Sequence, residues 1–251
     1  MKKPFNMEET IMAEPVRIAV VTAVFNTGGS LKTCMDSVRS NGADAHWLID
    51  NCSTDEVTRR LLSEPGDARV LSEPDNGIYD AMNKGARLAD GDVIAWLNAD
   101  DHYLPGTLDA VRQAFADHPE AGIVHGNIRV TGRRIVPPGG LSSFHGARIY
   151  HPACFIRKSV WESLGGYDTQ YRICADLDLF IRAKHSGVKF HYLDRELTVF
   201  ALGGISTKRR KEAAAEVVQV LRRNGFSRLF VLGFRLATTL RAFAARLLRR
   251  G

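Results

Sequence analysis

The first part of the chain alternates between short apolar runs and segments with helical periodicity. The run VRIAVVTAVFN (16–26) is almost continuously apolar and rich in β-branched residues, which is typical of a central parallel strand buried on both faces. The segment LKTCMDSVRS (31–40) has the pattern of a helix, with Ser30 as its predicted N-cap and Asn41-Gly42 as its end. The chain therefore begins with a predicted strand and helix.

The same alternation continues up to residue 98. A strand is predicted at AHWLID (45–50), and Ser53-Thr54-Asp55-Glu56 has the spacing of a capping box before a second helix. The next elements are a strand ARVLS (68–72), a helix IYDAMNKGARLA (78–89) and a strand VIAWLN (93–98). Alternating units of this kind predict an α/β fold with a doubly wound, mainly parallel sheet. The ligand site of such a sheet lies beyond the carboxyl ends of its strands.

The second half of the chain predicts further strands. AGIVHGNIRVTGRRIV (121–136) has the pattern of a hairpin around Thr131-Gly132, and HPACFIRK (151–158) that of a strand. A helix, SVWESL, then leads into a turn at Gly165-Gly166.

Polar residues follow each of the first four predicted strands. They are Thr22 and Asn26, Asp50 and Asn51, Asp75 to Asp80, and Asn98 to Asp101. Each residue alone is explained as a loop cap, because Asx residues favour turns. Four such groups in register indicate a binding site. The adjacent carboxylates of Asp100 and Asp101 repel each other unless a cation lies between them, which favours a hard divalent metal ion. No Gly-rich phosphate loop follows the first strand, so we expect a metal to hold phosphates here.

Composition and charge limit the class of protein. The 251 residues, with 45% hydrophobic and 25% charged residues, suit one α/β domain with an appendage. The net charge of +6 is uneven, since residues 1–206 carry −4 and residues 207–251 carry +10. A nucleic-acid-binding core would distribute basic residues over its body, so no nucleic acid partner is expected.

The N-terminus and the cysteines predict a cytoplasmic protein. The N-terminal residues contain no apolar run long enough for a signal peptide. The cysteines form no CxxC pair, and we expect reduced, mostly buried thiols at Cys34, Cys52, Cys154 and Cys174.

Several motifs together carry a resemblance to a known family. VVTAVFN, LIDNCSTDEVT, SEPDNGIYDAMNKGARLADGDVIAWLNADD and GGYDTQYRICADLDLFIR resemble successive motifs of family 2 glycosyltransferases with the GT-A fold, over residues 16–205. The resemblance implies transfer of a sugar from a nucleotide-diphosphate donor to an acceptor hydroxyl, with inversion at the anomeric carbon and with Mn²⁺ or Mg²⁺ as cofactor. The GT-A domain is expected to span residues 1–206.

The resemblance also implies a donor site. Asp50 matches the aspartate that hydrogen-bonds the nucleotide base, and Asn98-Ala99-Asp100 matches the DXD motif with Asn98 in place of its first aspartate. Asp100 is therefore the expected metal ligand, and Asp101 assists directly or through water. The expected nucleotide-sugar-binding residues are Thr22, Asn26, Asp50, Asp75, Asp80, Asn83, Asn98 and Ala99.

On the acceptor side, Asp176 matches the second residue of the ED motif, which is the catalytic base, while Ala175 replaces the glutamate. The alternative is that Asp176 only N-caps the following helix, and Asp178 is expected to be structural. His151 would start a strand facing the site and contact phosphate or acceptor, or else fill the core. Gly166 and Tyr167 are further acceptor-side candidates, although Tyr167, like Trp161, is favoured as a core residue.

The basic tail (207–251) predicts two helices, KRRKEAAAEVVQVLRR ending at Asn224-Gly225 and then FSRLFVLGFRLATTLRAFAARLLRR. Its apolar stretches are far shorter than the ~20 residues that a membrane span needs. At ~100° per residue, one sector of the second helix contains Arg228, Arg235, Arg246, Arg249 and Arg250. This pattern predicts a helix lying on an anionic membrane at the cytoplasmic face. The alternative is a helix that packs on the core or on a second subunit of a homo-oligomer.

The family resemblance implies a glycan or lipid-linked acceptor in polysaccharide biosynthesis. The QxxRW signature of processive synthases is absent, so one sugar per encounter is expected. One alternative is a sugar-phosphate nucleotidyltransferase, which should have a GxGxR-like loop where this chain has Asn26-Thr27-Gly28-Gly29. The other is a non-catalytic nucleotide-sugar-binding protein, suggested by Asn98 and Ala175.

Overall fold

The computed structural model describes residues 15–130, 149–202 and 209–236. The strands are β1 (Ile18–Val24), β2 (Ala45–Asp50), β3 (Arg69–Ser72), β4 (Val93–Trp96), β5 (His102–Tyr103), β6 (Ala121–Val130), β7 (Cys154–Arg157) and β8 (Lys189–Phe200). The α-helices are α1 (Ser30–Ser40), α2 (Glu56–Ser63), α3 (Ile78–Leu88), α4 (Thr107–Asp117), α5 (Lys158–Ser163), α6 (Ala175–His185) and α7 (Arg210–Arg223). The strands form one sheet in the order β3-β2-β1-β4-β7-β6-β8-β5.

The central position of β1 explains its apolar sequence. It pairs in parallel with β2 on one side and with β4 on the other. Its side chains alternate between two hydrophobic clusters, with Ile18 and Val20 in one and Ala19 and Val21 in the other. All four are fully buried. A strand covered on both faces has no position for a polar side chain, which is why the run reads as continuously apolar.

Helices cover both faces of the sheet, as predicted for a doubly wound fold. Apolar residues of α1 and α4 pack with Ile18 and Val20, whereas α3, α5 and α6 pack with Ala19 and Val21. The first four strands are all parallel. The later part is mixed, because β7 runs antiparallel between β4 and β6, and β5 runs antiparallel to β8. The predicted turn at Thr131-Gly132 and the strand after it lie outside the described residues.

Two helix starts differ from the prediction, and both are explained by local hydrogen bonds. Ser30 is the first residue of α1, and its hydroxyl donates to the carbonyl of Thr27, so the N-cap position falls on Gly29. Helix α2 is capped by Asp55, whose carboxylate accepts the Thr58 N–H at 2.9 Å. The predicted cap Ser53 instead accepts the Asn26 N–H. Both proposed serine caps were therefore wrong by one or two residues.

The basic tail begins as part of the folded core. Helix α7 ends at Asn224-Gly225 as predicted, and Val220 and Leu221 on it are buried against the cluster that includes α6. Residues 228–236 are helical, with Val231 buried and Phe234 packed against the same cluster. One face of this part of the tail therefore packs on the core. The arginines from Arg241 onward and the predicted border after residue 206 lie outside the described residues.

Two further expectations concern the membrane and the thiols. Within the three described ranges, no helix has the length and the apolar character that crossing a bilayer requires. All four cysteines are free, and three of them (Cys34, Cys154 and Cys174) are buried as expected. Cys52 is the exception, since it is exposed.

Candidate active site

The loops after β1 and β2 are joined by Asn26. Its backbone has a φ of +49°, and its side-chain oxygen accepts the N–H groups of Thr54 at 2.8 Å and Asp55 at 3.1 Å. Cys52, in the same loop, also has a positive φ (+52°). The residues after β1 and those after β2 therefore meet at the carboxyl edge of the sheet, and Asn26 fixes the shape of this part of the edge.

Asp50 ends β2 and is buried under this edge. Its carboxylate accepts the Ser53 N–H at 3.1 and 3.2 Å and the Ser72 hydroxyl at 2.6 Å. These bonds hold the carboxylate between the ends of β2 and β3, next to the position expected for a nucleotide base. A nucleotide base can hydrogen-bond only to those lone pairs of the Asp50 carboxylate that these bonds leave free and that face outward.

Asp75 and Asp80 shape the loop that leads into α3. The Asp75 N–H donates to the side-chain oxygen of Asn51 at 2.9 Å, and the Asp75 carboxylate accepts the Gly77 N–H at 2.8 Å. Partial burial raises the pKa of Asp75 above its ordinary value. Asp80 accepts the Asn76 N–H at 3.0 Å and lies 3.8 Å from the Lys84 ammonium. Both residues lie at the predicted edge, beside the strand ends.

Two residues expected to bind the donor have internal partners instead. Thr22 is fully buried, and its hydroxyl contacts His46 Nε2 at 3.0 Å and the Cys34 sulfur at 3.6 Å. Asn83 is buried, and its amide donates to the Tyr167 carbonyl at 2.8 Å while accepting the Tyr167 N–H at 2.9 Å. Both side chains thus support the site from inside the fold, and neither lines its open edge.

The turn after β4 separates the two adjacent aspartates. Asp101 is buried and accepts hydrogen bonds from the Ala201 N–H at 2.8 Å and from the Asn98 amide at 2.9 Å. Burial raises its pKa to about 7, with a smaller contribution from the charge of Asp100. Asp100 is exposed, and Ala99, which lies between Asn98 and Asp100, is buried. Because Asp101 is engaged inside the protein, only Asp100 of the two carboxylates predicted to bind a metal is exposed at this turn.

Two oxygen-bearing side chains at this turn, Asp100 and Asn98, fit a metal ion that takes its other ligands from outside the protein. In the described part of the chain, no three His, Cys, Asp or Glu side chains are grouped so that they could bind a metal by themselves. The Asp100 carboxylate is exposed, and the buried Oδ1 of Asn98 finds no donor among the described residues. Hard oxygen ligands of this kind suit Mg²⁺ or Mn²⁺, which commonly take their other ligands from phosphate and water.

Asp176 lies in the first turn of α6. It does not N-cap the helix, because the N-cap position is Cys174. Its Oδ1 accepts the N–H of Leu177 at 2.8 Å and lies 3.3 Å from the Tyr79 hydroxyl on α3. Burial raises the pKa of Asp176 to about 6, and these hydrogen bonds limit the rise. A carboxylate with such a pKa is ionised at neutral pH and still basic enough to accept a proton.

Asp178, one turn further along α6, is structural as predicted. It is buried, contacts Arg182 at 2.7 Å and accepts the side-chain N–H of Asn224 at 2.8 Å. Its carboxylate thereby links α6 to the end of α7.

Tyr167 belongs to the core below Asp176. It is buried, and its ring centroid lies 5.1 Å from that of Tyr79 and 5.0 Å from that of Trp96. Trp161 is buried too, so the core assignment favoured for both rings is confirmed. The acceptor-side role of the Tyr167 side chain is corrected accordingly. Gly166 has a φ of +74°, and a Cβ there would come within 2.8 Å of the Trp161 ring.

His151 does not start the strand as predicted, since it opens a short 3₁₀ turn, His151–Ala153, before β7. Because β7 runs antiparallel to β4, this turn lies at the same edge of the sheet as Asn98. Burial lowers the pKa of His151 to about 4, which keeps the ring neutral at physiological pH. Its Nε2 is buried without a partner among the described residues. A neutral ring carries no charge with which to bind phosphate.

Sequence reasoning missed one residue beside Asp176. The Tyr79 hydroxyl donates to the Ile173 carbonyl at 2.8 Å and also contacts Asp176. Tyr79 therefore links α3 to the residues just before α6 and to its first turn. Tyr79 lies in the quoted motif DNGIYDAMNKG, but helical periodicity assigns it to the apolar face. Only its hydroxyl, at the end of a buried ring, signals a polar partner.

A doubly wound, partly mixed sheet with aspartates at its carboxyl edge and a half-buried aspartate at the start of α6 is the arrangement expected for the GT-A fold. Solved glycosyltransferase structures are similar in fold to most of this chain. Staphylococcus aureus TarS 1–349 in complex with UDP-GlcNAc matches with a TM-score of 0.69 at 14% identity, covering 83% of this chain and 65% of that chain. Mannosyltransferase PcManGT from Pyrobaculum calidifontis in complex with GDP-Man and Mn²⁺ matches with a TM-score of 0.65 at 18% identity, covering 84% and 64%. The chain thus spans less than two thirds of these solved chains.

The chain belongs to glycosyl transferase family 2, whose family model matches residues 19–195. A PGL/p-HBAD biosynthesis glycosyltransferase of Mycobacterium bovis is 32% identical over 181 residues, which cover 68% of this chain and 70% of the relative. An uncharacterized glycosyltransferase of Mycobacterium tuberculosis is 34% identical over 186 residues, with the same coverage of both chains. The protein is therefore a glycosyltransferase, and the nucleotidyltransferase alternative has no support from these relatives.

Proposed function

We propose that this glycosyltransferase moves one sugar from a nucleotide-diphosphate donor to an acceptor hydroxyl, with inversion and with Asp176 as the general base. The observation that carries the proposal is the environment of Asp176. Its carboxylate is held at the start of α6 beside Tyr79, and burial raises its pKa to about 6. The solved neighbours bound to UDP-GlcNAc and GDP-Man support a nucleotide-sugar donor.

In the proposed reaction, the acceptor oxygen attacks the anomeric carbon on the side opposite the diphosphate. The bond between that carbon and the diphosphate oxygen breaks, and the nucleoside diphosphate leaves with the electron pair. Asp176 takes the proton of the acceptor hydroxyl, so the oxygen gains its bond to carbon without a build-up of positive charge. No covalent intermediate with the protein forms in this single displacement.

A divalent cation is part of the proposal. Asp100 is its protein ligand, with Asn98 Oδ1 as a second oxygen, because Asp100 is exposed and Asn98 Oδ1 has no donor among the described residues. When bound, Mg²⁺ or Mn²⁺ would neutralise the charge that develops on the leaving diphosphate. The Mn²⁺ in the PcManGT complex supports this choice of cofactor.

The test of Asp176 separates catalysis from binding. Asp176→Asn should retain binding of the nucleoside diphosphate but lower turnover by roughly 10²-fold to 10⁴-fold, the range for a positioned base. Asp109→Asn is a matched control, because Asp109 is an exposed carboxylate on the outer surface of α4. Wild-type turnover in Asp176→Asn would overturn the assignment of the base, and loss of donor binding would make Asp176 a binding residue.

The alternative of a non-catalytic binding protein stems from Asn98 and Ala175, which replace acidic residues of the family motifs. It is tested without an acceptor, since a transferase hydrolyses its donor slowly in the presence of metal. Release of free sugar from a panel of nucleotide sugars with Mn²⁺ would favour the enzyme. Tight donor binding with no release from any sugar, and no transfer to any acceptor, would favour the binding protein.

We propose further that the protein works at the cytoplasmic face of a membrane, on a glycan or lipid-linked acceptor. Residues 228–236 expose three leucines at helical spacing, Leu229, Leu232 and Leu236, on the side of the helix opposite Val231 and Phe234. At ~100° per residue, Arg228 and Arg235 lie together along one edge of this apolar face, as in a helix that lies on an anionic bilayer. Binding of this helix to the membrane would bring the transferase close to a lipid-anchored substrate.

A further inference from the structure

The start of α6 is capped by a residue from outside its own segment. Cys174 occupies the N-cap position, and its side chain makes no capping hydrogen bond. The carboxylate of Glu216, on α7, instead accepts three consecutive backbone N–H groups: those of Arg172 at 3.0 Å, Ile173 at 2.8 Å and Cys174 at 3.0 Å. The N-terminal end of the helix that bears Asp176 is therefore attached to α7.

The peptide groups around Ile173 are held from two sides. Glu216 accepts the Ile173 N–H, while the Tyr79 hydroxyl donates to the Ile173 carbonyl at 2.8 Å. The Cys174 thiol adds a weaker contact to the Ala213 carbonyl on α7 at 3.6 Å. Two helices that are distant in sequence thus fix the backbone two to three residues before Asp176.

The chemistry of this contact makes it a strong constraint. Hydrogen bonds to an ionised acceptor are stronger than those between neutral groups. A negative charge at the N-terminal end of a helix also interacts favourably with the helix dipole. Glu216 provides both effects at once, and it does so in a helix whose other charged residues are mostly basic.

We propose that Glu216 is a positioning residue for Asp176, and that α7 is consequently part of the catalytic unit. The inference rests on the proposed role of Asp176 as the base. By fixing residues 172–174, Glu216 sets the position of the Asp176 carboxylate relative to the acceptor hydroxyl. Small displacements of a reacting group lower rates steeply, because the reaction depends on alignment.

The charge of Glu216 also acts on Asp176 directly. Within residues 15–130, 149–202 and 209–236, groups that interact electrostatically with Asp176 include Tyr79, Tyr167, Cys154, Cys174 and Glu216. Burial raises the pKa values of the two phenols and the two thiols, so Glu216 is the charged member of this group at neutral pH. Its negative charge raises the pKa of Asp176.

The test is Glu216→Gln, which keeps the shape of the side chain but removes its charge and one acceptor oxygen. Glu212→Gln is the matched control, because Glu212 lies on the same helix, is exposed and pairs with Arg209. We expect Glu216→Gln to lower kcat by about 10-fold or more while the donor KM changes by less than about threefold. The acid limb of the kcat profile should move to lower pH, and Glu212→Gln should change neither quantity.

Measurements on Asp176→Asn in parallel separate the two proposals. If Asp176→Asn is inactive and a folded Glu216→Gln variant has the wild-type kcat and pH profile, the positioning role is overturned while the base assignment stands. If Asp176→Asn keeps full turnover, the proposed base is wrong and the positioning role fails with it. A Glu216→Gln variant that does not fold, or that loses donor binding as much as kcat, would make Glu216 a purely structural residue and overturn the proposal.

Discussion

The Tyr79 hydroxyl and the Asp176 carboxylate lie 3.3 Å apart, although the two residues belong to different helices. The same hydroxyl donates to the Ile173 carbonyl at 2.8 Å, so one phenol contacts both the backbone before α6 and the carboxylate on it. Its hydrogen bond lowers the pKa of Asp176, against the larger opposing effect of burial. Tyr79 therefore tunes the basicity of the group that we assign as the base.

Replacing Tyr79 by phenylalanine should move the pH dependence of turnover upward. The base works only when deprotonated, so the acid limb of the wild-type profile should reflect the Asp176 pKa of about 6. Loss of the hydroxyl removes an interaction that stabilises the carboxylate, which raises this pKa and moves the limb to higher pH. Profiles of kcat from pH 5 to 8 provide the measurement. The shift is opposite in sign to that expected for Glu216→Gln, and a limb that moves downward in Tyr79→Phe would contradict this account.

Asp100→Ala should abolish metal-dependent turnover and most of the stabilisation by a nucleoside diphosphate with metal. A ligand that binds only the native state raises the melting temperature by an amount that grows with the ratio of its concentration to its Kd, so loss of the metal ligand removes most of the shift. Melting curves with UDP or GDP, with and without Mn²⁺, measure this directly. Asp109→Ala, at an exposed site on α4, should keep the full shift. Undiminished activity of the wild-type protein in EDTA would contradict the metal requirement.

Gly166→Ala should destabilise the protein more than Gly165→Ala does. Both glycines have a positive φ, +75° at Gly165 and +74° at Gly166, so both substitutions incur backbone strain. A Cβ at Gly165 meets nothing within 4 Å, whereas one at Gly166 comes within 2.8 Å of the Trp161 ring and 3.0 Å of the Asn83 oxygen. The crowding should add about 1–3 kcal/mol to the loss of stability. Urea unfolding of the two variants measures the difference in the free energy of unfolding. Equal losses of stability would show that the Trp161 ring moves aside without cost and would contradict this prediction.

Deleting residues 237–251 should weaken binding to anionic vesicles while leaving the transferase folded. The cut lies after Phe226, Val231 and Phe234, which pack against the core, and it removes Arg241, Arg246, Arg249 and Arg250. Each arginine near an anionic surface contributes on the order of 1 kcal/mol. Sedimentation with anionic and neutral vesicles at low and high salt measures the effect, since screening weakens the electrostatic part. Full-length protein that stays in the supernatant with anionic vesicles at low salt would contradict the membrane proposal.

The fold was predictable where local patterns report it. The apolar run around Val20 predicted a central strand because burial on both faces leaves a continuous signature in sequence. Helix α3 was predicted nearly to its ends, Ile78 and Leu88, for the same reason, since its periodicity is local. The mixed second half of the sheet was harder to predict from the sequence. The antiparallel pairing of β7 with β4 and β6 depends on the direction of the strand, which an apolar run does not encode.

The site was predictable at the level of loops and less so at the level of side chains. Asp100 and Asp101 are neighbours in sequence, but the turn, closed by the Asp101 N–H on the Asn98 carbonyl, directs one outward and the other into the protein. Asn83 and Tyr167 matched site positions, yet they bind each other across 84 residues. Glu216 left only a faint signal, as one of two acidic residues in a basic tail, and its partners lie 42 to 44 residues earlier.

The exposed Cys52 makes the protein suited to fluorescence studies of donor binding. Its thiol is accessible, whereas the other three cysteines are buried. A maleimide dye would therefore attach selectively at Cys52, two residues after Asp50, in a loop held in shape by Asn26. Changes in its emission on addition of a nucleotide would test the proposed donor site without any engineered label site.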